Sequence, residues 1–294
     1  MNSGANEAMS EEADLSQVVC PKTIEELLVA FDRNPDACLF AGGTGIVPGL
    51  AGISGVGIGL PPEVIYLGDV GELDRISRTE RFLEIGAAVS IAKILSVGKN
   101  AVPDALYDAL VTIASPAVRN LATLGGNICT VSPHGDSMPA LHVLDAVVEL
   151  RKRAKSVWTP ISQLFDESGT LRLGRGELVA RVRIPYHSCN IHIWRRITEP
   201  KSYGRSIVSM CATARLARGT LSDLRLAFGA LTPRVFRSRQ LEAKLIGQRL
   251  PLPTKEQKAF VAELEERLDP LASGASAYAR ATAKRLATWL LERL

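Results

Sequence analysis

The sequence predicts a mixed α/β protein built from more than one domain. Three observations carry that reading. The chain has 294 residues, more than most single small domains contain. Its 46% hydrophobic and 22% charged residues are enough to bury a sizeable core and to keep a polar surface. Segments of helical and strand period alternate up to residue 186, after which long strands are followed by long helices.

The elements follow in order. Residues 1–16, MNSGANEAMSEEADLS, lack a basic start and an apolar run, so they read as a disordered acidic tail and not a signal peptide. In PKTIEELLVAF (21–31), Ile24, Leu27, Leu28 and Phe31 share one helical face, and Thr23 with Glu26 three residues on forms a cap. ACLFAGGTG reads as a short strand entering a glycine turn, EVIYLGDV (63–70) as a second strand and 75–90 as paired strands. Pro103 opens a helix that carries Leu106, Leu110 and Ile113 on one side. A helical turn and then a strand occupy 139–153. GELVARVRIP (176–185) alternates as a strand and stops at Pro185.

Beyond 186 the character changes. Residues 206–219 and 220–231 read as strands joined at Gly219. Helices follow at 237–247, ending at Gly247, and at 253–268. The closing helix, 276–294, places Tyr278, Thr282, Leu286, Trp289 and Leu290 on one stripe. The expected units are a tail at 1–16, subdomains at 17–72 and 73–186, and a C-terminal domain at 187–294.

Several function classes are disfavoured. A net charge of +4 from 35 basic and 31 acidic residues is too mild and too evenly spread to indicate nucleic acid. Five cysteines, an odd number with no CxxC spacing, argue against a disulfide framework and against a metal centre held by this chain. They read as free thiols in a reducing cytoplasm. Four scattered histidines make no metal site. The apolar run 46–60 is broken by Pro48 and five glycines, so it is not a membrane span.

Two glycine turns carry the chemistry. In AGGTG, Gly42, Gly43 and Gly45 free the backbone and bare its amides, which can nest an anion; Thr44 adds a hydroxyl. No GxGxxG register or P-loop is present, which disfavours a Rossmann dinucleotide site and an ATPase. In TLGGN, Thr123, Gly125, Gly126 and Asn127 offer a second set of donors, followed ten residues past Gly126 by Asp136, an acid suited to sugar hydroxyls or to a helix cap. Singly each turn also reads as plain chain reversal. Together they describe two loops closing on one extended, phosphate-bearing cofactor. His134 reads as a surface or packing histidine and Cys129 as a small packing residue.

AGGTG, SPAVRNLATLGGNICTVSPHGDSMPALHVLDAVVEL and GELVARVRIP resemble the flavin-binding (medium) subunit of the molybdenum hydroxylases, the family of the xanthine and carbon monoxide dehydrogenase flavoproteins. The resemblance spans about 20–294. It implies an α+β architecture: an FAD-binding fold of the vanillyl-alcohol-oxidase (PCMH) type with two α/β subdomains. A C-terminal α/β domain with a three-stranded sheet and a helical bundle would follow. It implies that Ala41, Gly42, Gly43, Thr44 and Gly45 form one pyrophosphate loop and Thr123, Gly125, Gly126 and Asn127 the other, with Asp136 on the adenosine side. Leu178 would pack near the flavin, and a basic residue around Arg196 or Lys201 would lie near its pyrimidine end. The implied role is electron transfer from a [2Fe-2S] subunit, fed by a molybdenum-cofactor subunit, through FAD to NAD or another acceptor. A stand-alone flavin oxidoreductase and a scaffold without FAD are the alternatives. The chain departs from the family at Gly45, where relatives commonly carry Asp, Asn or His, and in its glycine-rich 46–60 segment.

Overall fold

In the computed structural model of the chain, the described residues are 17–47, 61–130, 135–199 and 205–294. The acidic tail, most of the glycine-rich run 46–60, His134 and Lys201 lie outside them.

The first unit is a three-stranded parallel sheet. Strands β1 (Gln17–Val19), β2 (Cys38–Phe40) and β3 (Glu63–Tyr66) lie in the order β1-β3-β2. Parallel strands need a crossover, and helix α1 (Ile24–Arg33) supplies it between β1 and β2. Its expected face is the buried one: Leu27 is 0% exposed, and Ile24, Leu28 and Phe31 pack with it against Ile65, Val70 and Leu73. Thr23 caps the helix, its Oγ1 accepting from the Glu26 amide at 3.2 Å.

The second unit is a five-stranded antiparallel sheet. The hairpin β4 (Ile76–Arg78) and β5 (Phe82–Gly86) joins β6 (Val147–Lys152), β7 (Lys155–Pro160) and β8 (Leu178–Pro185) in the order β4-β5-β8-β6-β7. Alternation sorts its two faces. Leu83, Ile85, Val148, Val182 and Ile184 are fully buried against α2 (Ile91–Val97), α3 (Asp104–Val111), α5 (Leu124–Cys129) and α6 (Ser137–Val143). On the opposite face Glu84 stands across from Arg183 and Glu149 across from Arg181, as ion pairs at 2.6 and 2.5 Å. The Trp158 ring lies beneath both guanidiniums, at 5.7 Å from Arg181 and 4.0 Å from Arg183.

Helix α4 (Pro116–Leu121) has no buried residue. No apolar period marks it in the sequence, which is why it goes unread there.

The C-terminal sheet has four antiparallel strands, not three: β9 (Ile191–Thr198), β10 (Ser206–Ala217), β11 (Thr220–Gly229) and the two-residue β12 (Phe236–Arg237). Two residues are too short to leave a strand signature. α7 (Arg239–Ala243), α8 (Thr254–Leu268) and α9 (Ala277–Leu291) build a core with this sheet. The buried stripe of α9 is Ala279, Thr282, Ala283, Ala287, Leu290 and Leu291, while Tyr278 is 55% exposed. Small alanines let the helix approach its sheet closely, and the larger Trp289 sits to one side between Arg195 and Arg293. Trp194, Cys211 and Ala227 of this sheet pack into the core of the second unit. Among the described residues no helix is long and apolar enough to cross a membrane.

Candidate functional site

The two glycine turns meet. A cavity of about 350 Å³ is lined by Ala41, Gly42, Gly43, Thr44 and Gly45 from the first and by Thr123, Gly125, Gly126 and Asn127 from the second. Leu178 lines it as well. The loops touch closely. A Cβ built on Gly42 would stand 1.7 Å from the Leu121 carbonyl oxygen, and one on Gly45 would stand 2.9 Å from Thr130 Oγ1. Thr130 therefore fills the space that a side chain at position 45 would need. Gly43 has φ +67°, the left-handed region that favours glycine.

The loops differ in what their backbones offer. Ile46 and Val47 amides both donate to the Gly43 carbonyl, which folds the first loop into a tight turn. Among the described residues, none accepts from the amides of Gly42, Gly43, Thr44 or Gly45. In the second loop four consecutive amides have acceptors. Leu124 donates to Val89 O at 3.1 Å, Gly125 to Ala87 O at 3.0 Å, Gly126 to Thr123 Oγ1 at 3.0 Å and Asn127 to Thr123 O at 2.9 Å. The TLGGN stretch is a capped helical turn, α5, and not an open nest. Its glycines serve contact: a Cβ on Gly125 would lie 2.5 Å from Ala87 Cβ. Asn127 Oδ1 accepts from Ser137 Oγ and ties the loop to α6.

The rest of the wall is apolar, with Ile113, Val118, Leu173 and Val179 prominent. Sequence reading missed these four. Ile113 was legible only as the last apolar position of the helical face that Pro103 opens. No described lining residue is charged, and burial pushes the Cys129 thiol up to about 12, leaving it protonated and unreactive at neutral pH.

Asp136 lies elsewhere. It is 5% exposed, accepts from Ser206 Oγ at 2.6 Å and pairs with Arg196 Nε at 3.0 Å. Burial raises its carboxyl above the ordinary carboxylate range. It does not line the cavity, and its two oxygens face groups of the C-terminal sheet. Ser206 and Arg196 close over this acid and make it a buried link between the units. Arg196 is the other half of that link and is absent from the lining. Among the described residues no group of three His, Cys, Asp or Glu is placed to hold a metal ion.

Amides without an acceptor among the described residues, one hydroxyl, glycines and apolar side chains around one cavity fit a phosphate bridge joined to a flat apolar ring. Fold and cavity thus define a protein that holds a phosphate-bearing flavin cofactor. Residues 12–187 match the family model of the FAD binding domain in molybdopterin dehydrogenase, and 198–294 that of the CO dehydrogenase flavoprotein C-terminal domain. The first match covers more than half of the chain, and the chain belongs to this family of FAD-binding molybdenum hydroxylase subunits.

Among its relatives, the glyceraldehyde dehydrogenase medium chain of Sulfolobus acidocaldarius is 24% identical over 78% of this chain and 80% of its own length. A putative xanthine dehydrogenase FAD-binding subunit of Escherichia coli is 27% identical over 80% of each. The xanthine dehydrogenase of Emericella nidulans is a longer protein: the 26% identical match covers 79% of this chain and 18% of the relative. In fold, carbon monoxide dehydrogenase from Hydrogenophaga pseudoflava superposes with TM-score 0.81 at 22% identity, over 93% of this chain and 94% of that one. Quinoline 2-oxidoreductase from Pseudomonas putida superposes with TM-score 0.79 at 22% identity, over 95% of each. The chain is an FAD-dependent oxidoreductase subunit, and FAD is its cofactor.

Proposed function

We propose that this subunit carries electrons within a cytoplasmic molybdenum hydroxylase complex. It takes them from a [2Fe-2S] subunit, itself supplied by a molybdenum-cofactor subunit, and passes them through FAD to NAD or another acceptor. The complex is heterotrimeric, and its dimerisation is part of the proposal.

The observation that carries this reading is the run of amides at 42–45, without an acceptor among the described residues, lining one cavity with the glycines of the second loop. Those amides and the Thr44 hydroxyl hold the diphosphate bridge. Gly125, Gly126 and Asn127 shape the opposite wall, and Ala41 and Thr123 fix the loop ends. Leu178, with Val179 and Ile113, packs the ring and excludes water. Asp136 and Lys201 remain contacts proposed from the family resemblance. FAD, when bound, supplies the redox chemistry; the chain contributes placement, shielding and tuning.

Titration of the purified chain with FAD, followed by visible absorption and flavin fluorescence, tests the site. Saturable binding with a structured flavin band is the expected result, and a protein that stays colourless after refolding with excess FAD defeats it. Co-purification with iron–sulfur and molybdenum subunits tests the wider role.

A further inference from the structure

Between α3 and α4 the chain turns sharply at Thr112–Ser115, and this bend supplies Ile113 to the cavity wall. Ala114 there has φ +45°, a left-handed conformation that disfavours any residue with a Cβ. Such a conformation persists only if its surroundings hold it. The surroundings do so from two directions.

On one side, Arg119 Nη1 donates to Ile113 O at 2.7 Å and to Ala114 O at 3.0 Å. On the other, Arg196 Nη1 donates to Thr112 O, and Trp194 Nε1 donates to Thr112 Oγ1 at 3.2 Å. Three successive carbonyls at the C-terminal end of α3, which the helix itself cannot satisfy, thus meet two guanidiniums. Arg119 belongs to α4, which enters the bend through Ser115 and carries Val118 into the same cavity. Arg196 and Trp194 belong to β9 of the C-terminal sheet, and Arg196 is anchored there through Asp136 and Ser206.

We propose that Arg119 and Arg196 are positioning residues for the flavin pocket, clamping the strained Thr112–Ser115 bend so that the C-terminal unit sets the wall formed by Ile113 and Val118. The inference rests on the flavin reading above. Neither arginine lines the cavity, so each acts through the bend. Arg119 matters because one guanidinium nitrogen bridges two adjacent carbonyls; a lysine ammonium is a point donor without that fixed geometry.

The test uses the full chain and reads FAD affinity together with the visible circular dichroism of the bound flavin, which reports the wall around the ring. Arg119→Ala is expected to weaken FAD binding by about tenfold, the scale of freeing one strained backbone residue, and to change the visible dichroism with far-UV spectra unchanged. Arg119→Lys should fall between. Ala114→Gly is the decisive second change: glycine adopts φ +45° without strain, so in the Arg119→Ala background it should recover most of the loss. Arg196→Lys should reproduce the dichroism change and combine with Arg119→Ala less than additively, because both act on one bend. Wild-type affinity and band shape in Arg119→Ala overturn the proposal, as does a loss that Ala114→Gly leaves untouched. A wild-type chain that binds no FAD overturns the flavin reading and this inference with it.

Discussion

The two glycine loops look alike in sequence and behave differently in the fold. Among the described residues none accepts from the four amides of Gly42 to Gly45, whereas TLGGN commits the amides of Leu124, Gly125, Gly126 and Asn127 to a helical turn and to the neighbouring strand end. A pair of adjacent glycines therefore has no single meaning. In the first loop the glycines let Leu121 and Thr130 approach closely, and the amides there have no acceptor among the described residues. In the second, they remove bulk so that α5 can lie against Ala87. Both loops line one cavity, but only the second is a capped helical turn.

The difference can be broken experimentally, and the largest effect belongs to the wall. Gly125→Ala should destabilise the fold by roughly 3 kcal/mol, the upper range for overpacking a buried contact, because the new methyl meets Ala87 Cβ and carbonyl within 2.5 and 2.7 Å. Urea denaturation checks it; a small change would mean that α5 is free to shift.

Acidification separates scaffold from site. His142, buried on α6 beside Arg237, has its pKa lowered from 6.5 to about 4, first by burial. Below pH 6.5 the unfolded chain takes up a proton that the native chain refuses. Stability contributed there falls as pH drops from 6.5, by about 3 kcal/mol once pH reaches 4. His142→Gln should flatten that part of the urea-midpoint profile. FAD affinity, by contrast, should stay level from about pH 7 to 9, since the described lining holds no group that titrates there.

Gly42→Ala probes the contact between the loops. A methyl 1.7 Å from the Leu121 carbonyl must push the first loop away, and FAD binding should weaken by about a hundredfold. The smallest and sharpest comparison pairs two threonines. Thr44→Val should cost about 1 kcal/mol of FAD affinity and little stability. Thr123→Val should cost about 1 kcal/mol of stability, through loss of the Gly126 cap, and little affinity. Equal effects in calorimetric titration and thermal melts would erase the distinction between the loops.

Much of this was legible in the sequence. Glycines, Thr23 and Pro103 act through local backbone rules, so the capped α1, the start of α3 and the glycine turns could be read directly. That the two turns share a cavity followed from their common chemistry, and Leu178 lines the same cavity. What stayed hidden depends on partners distant in the chain. Asp136 looks like an open acid until Arg196 and Ser206 close over it from sixty and seventy residues away. The amides of TLGGN look free until Ala87 and Val89 take two of them. Half of the buried face of α9 is alanine, whose weak apolar signal yields to the louder Tyr278 and Trp289.

The polar face of the five-stranded sheet has a further consequence. Its glutamates, arginines and Trp158 lie flat across the strands, so this layer is roofed by its own side chains. A slip of β8 by one position would turn Arg181 and Arg183 into the hydrocarbon interior and lift Val182 and Ile184 into water. The roof thus doubles as a proofreading device, rejecting misaligned strands during folding.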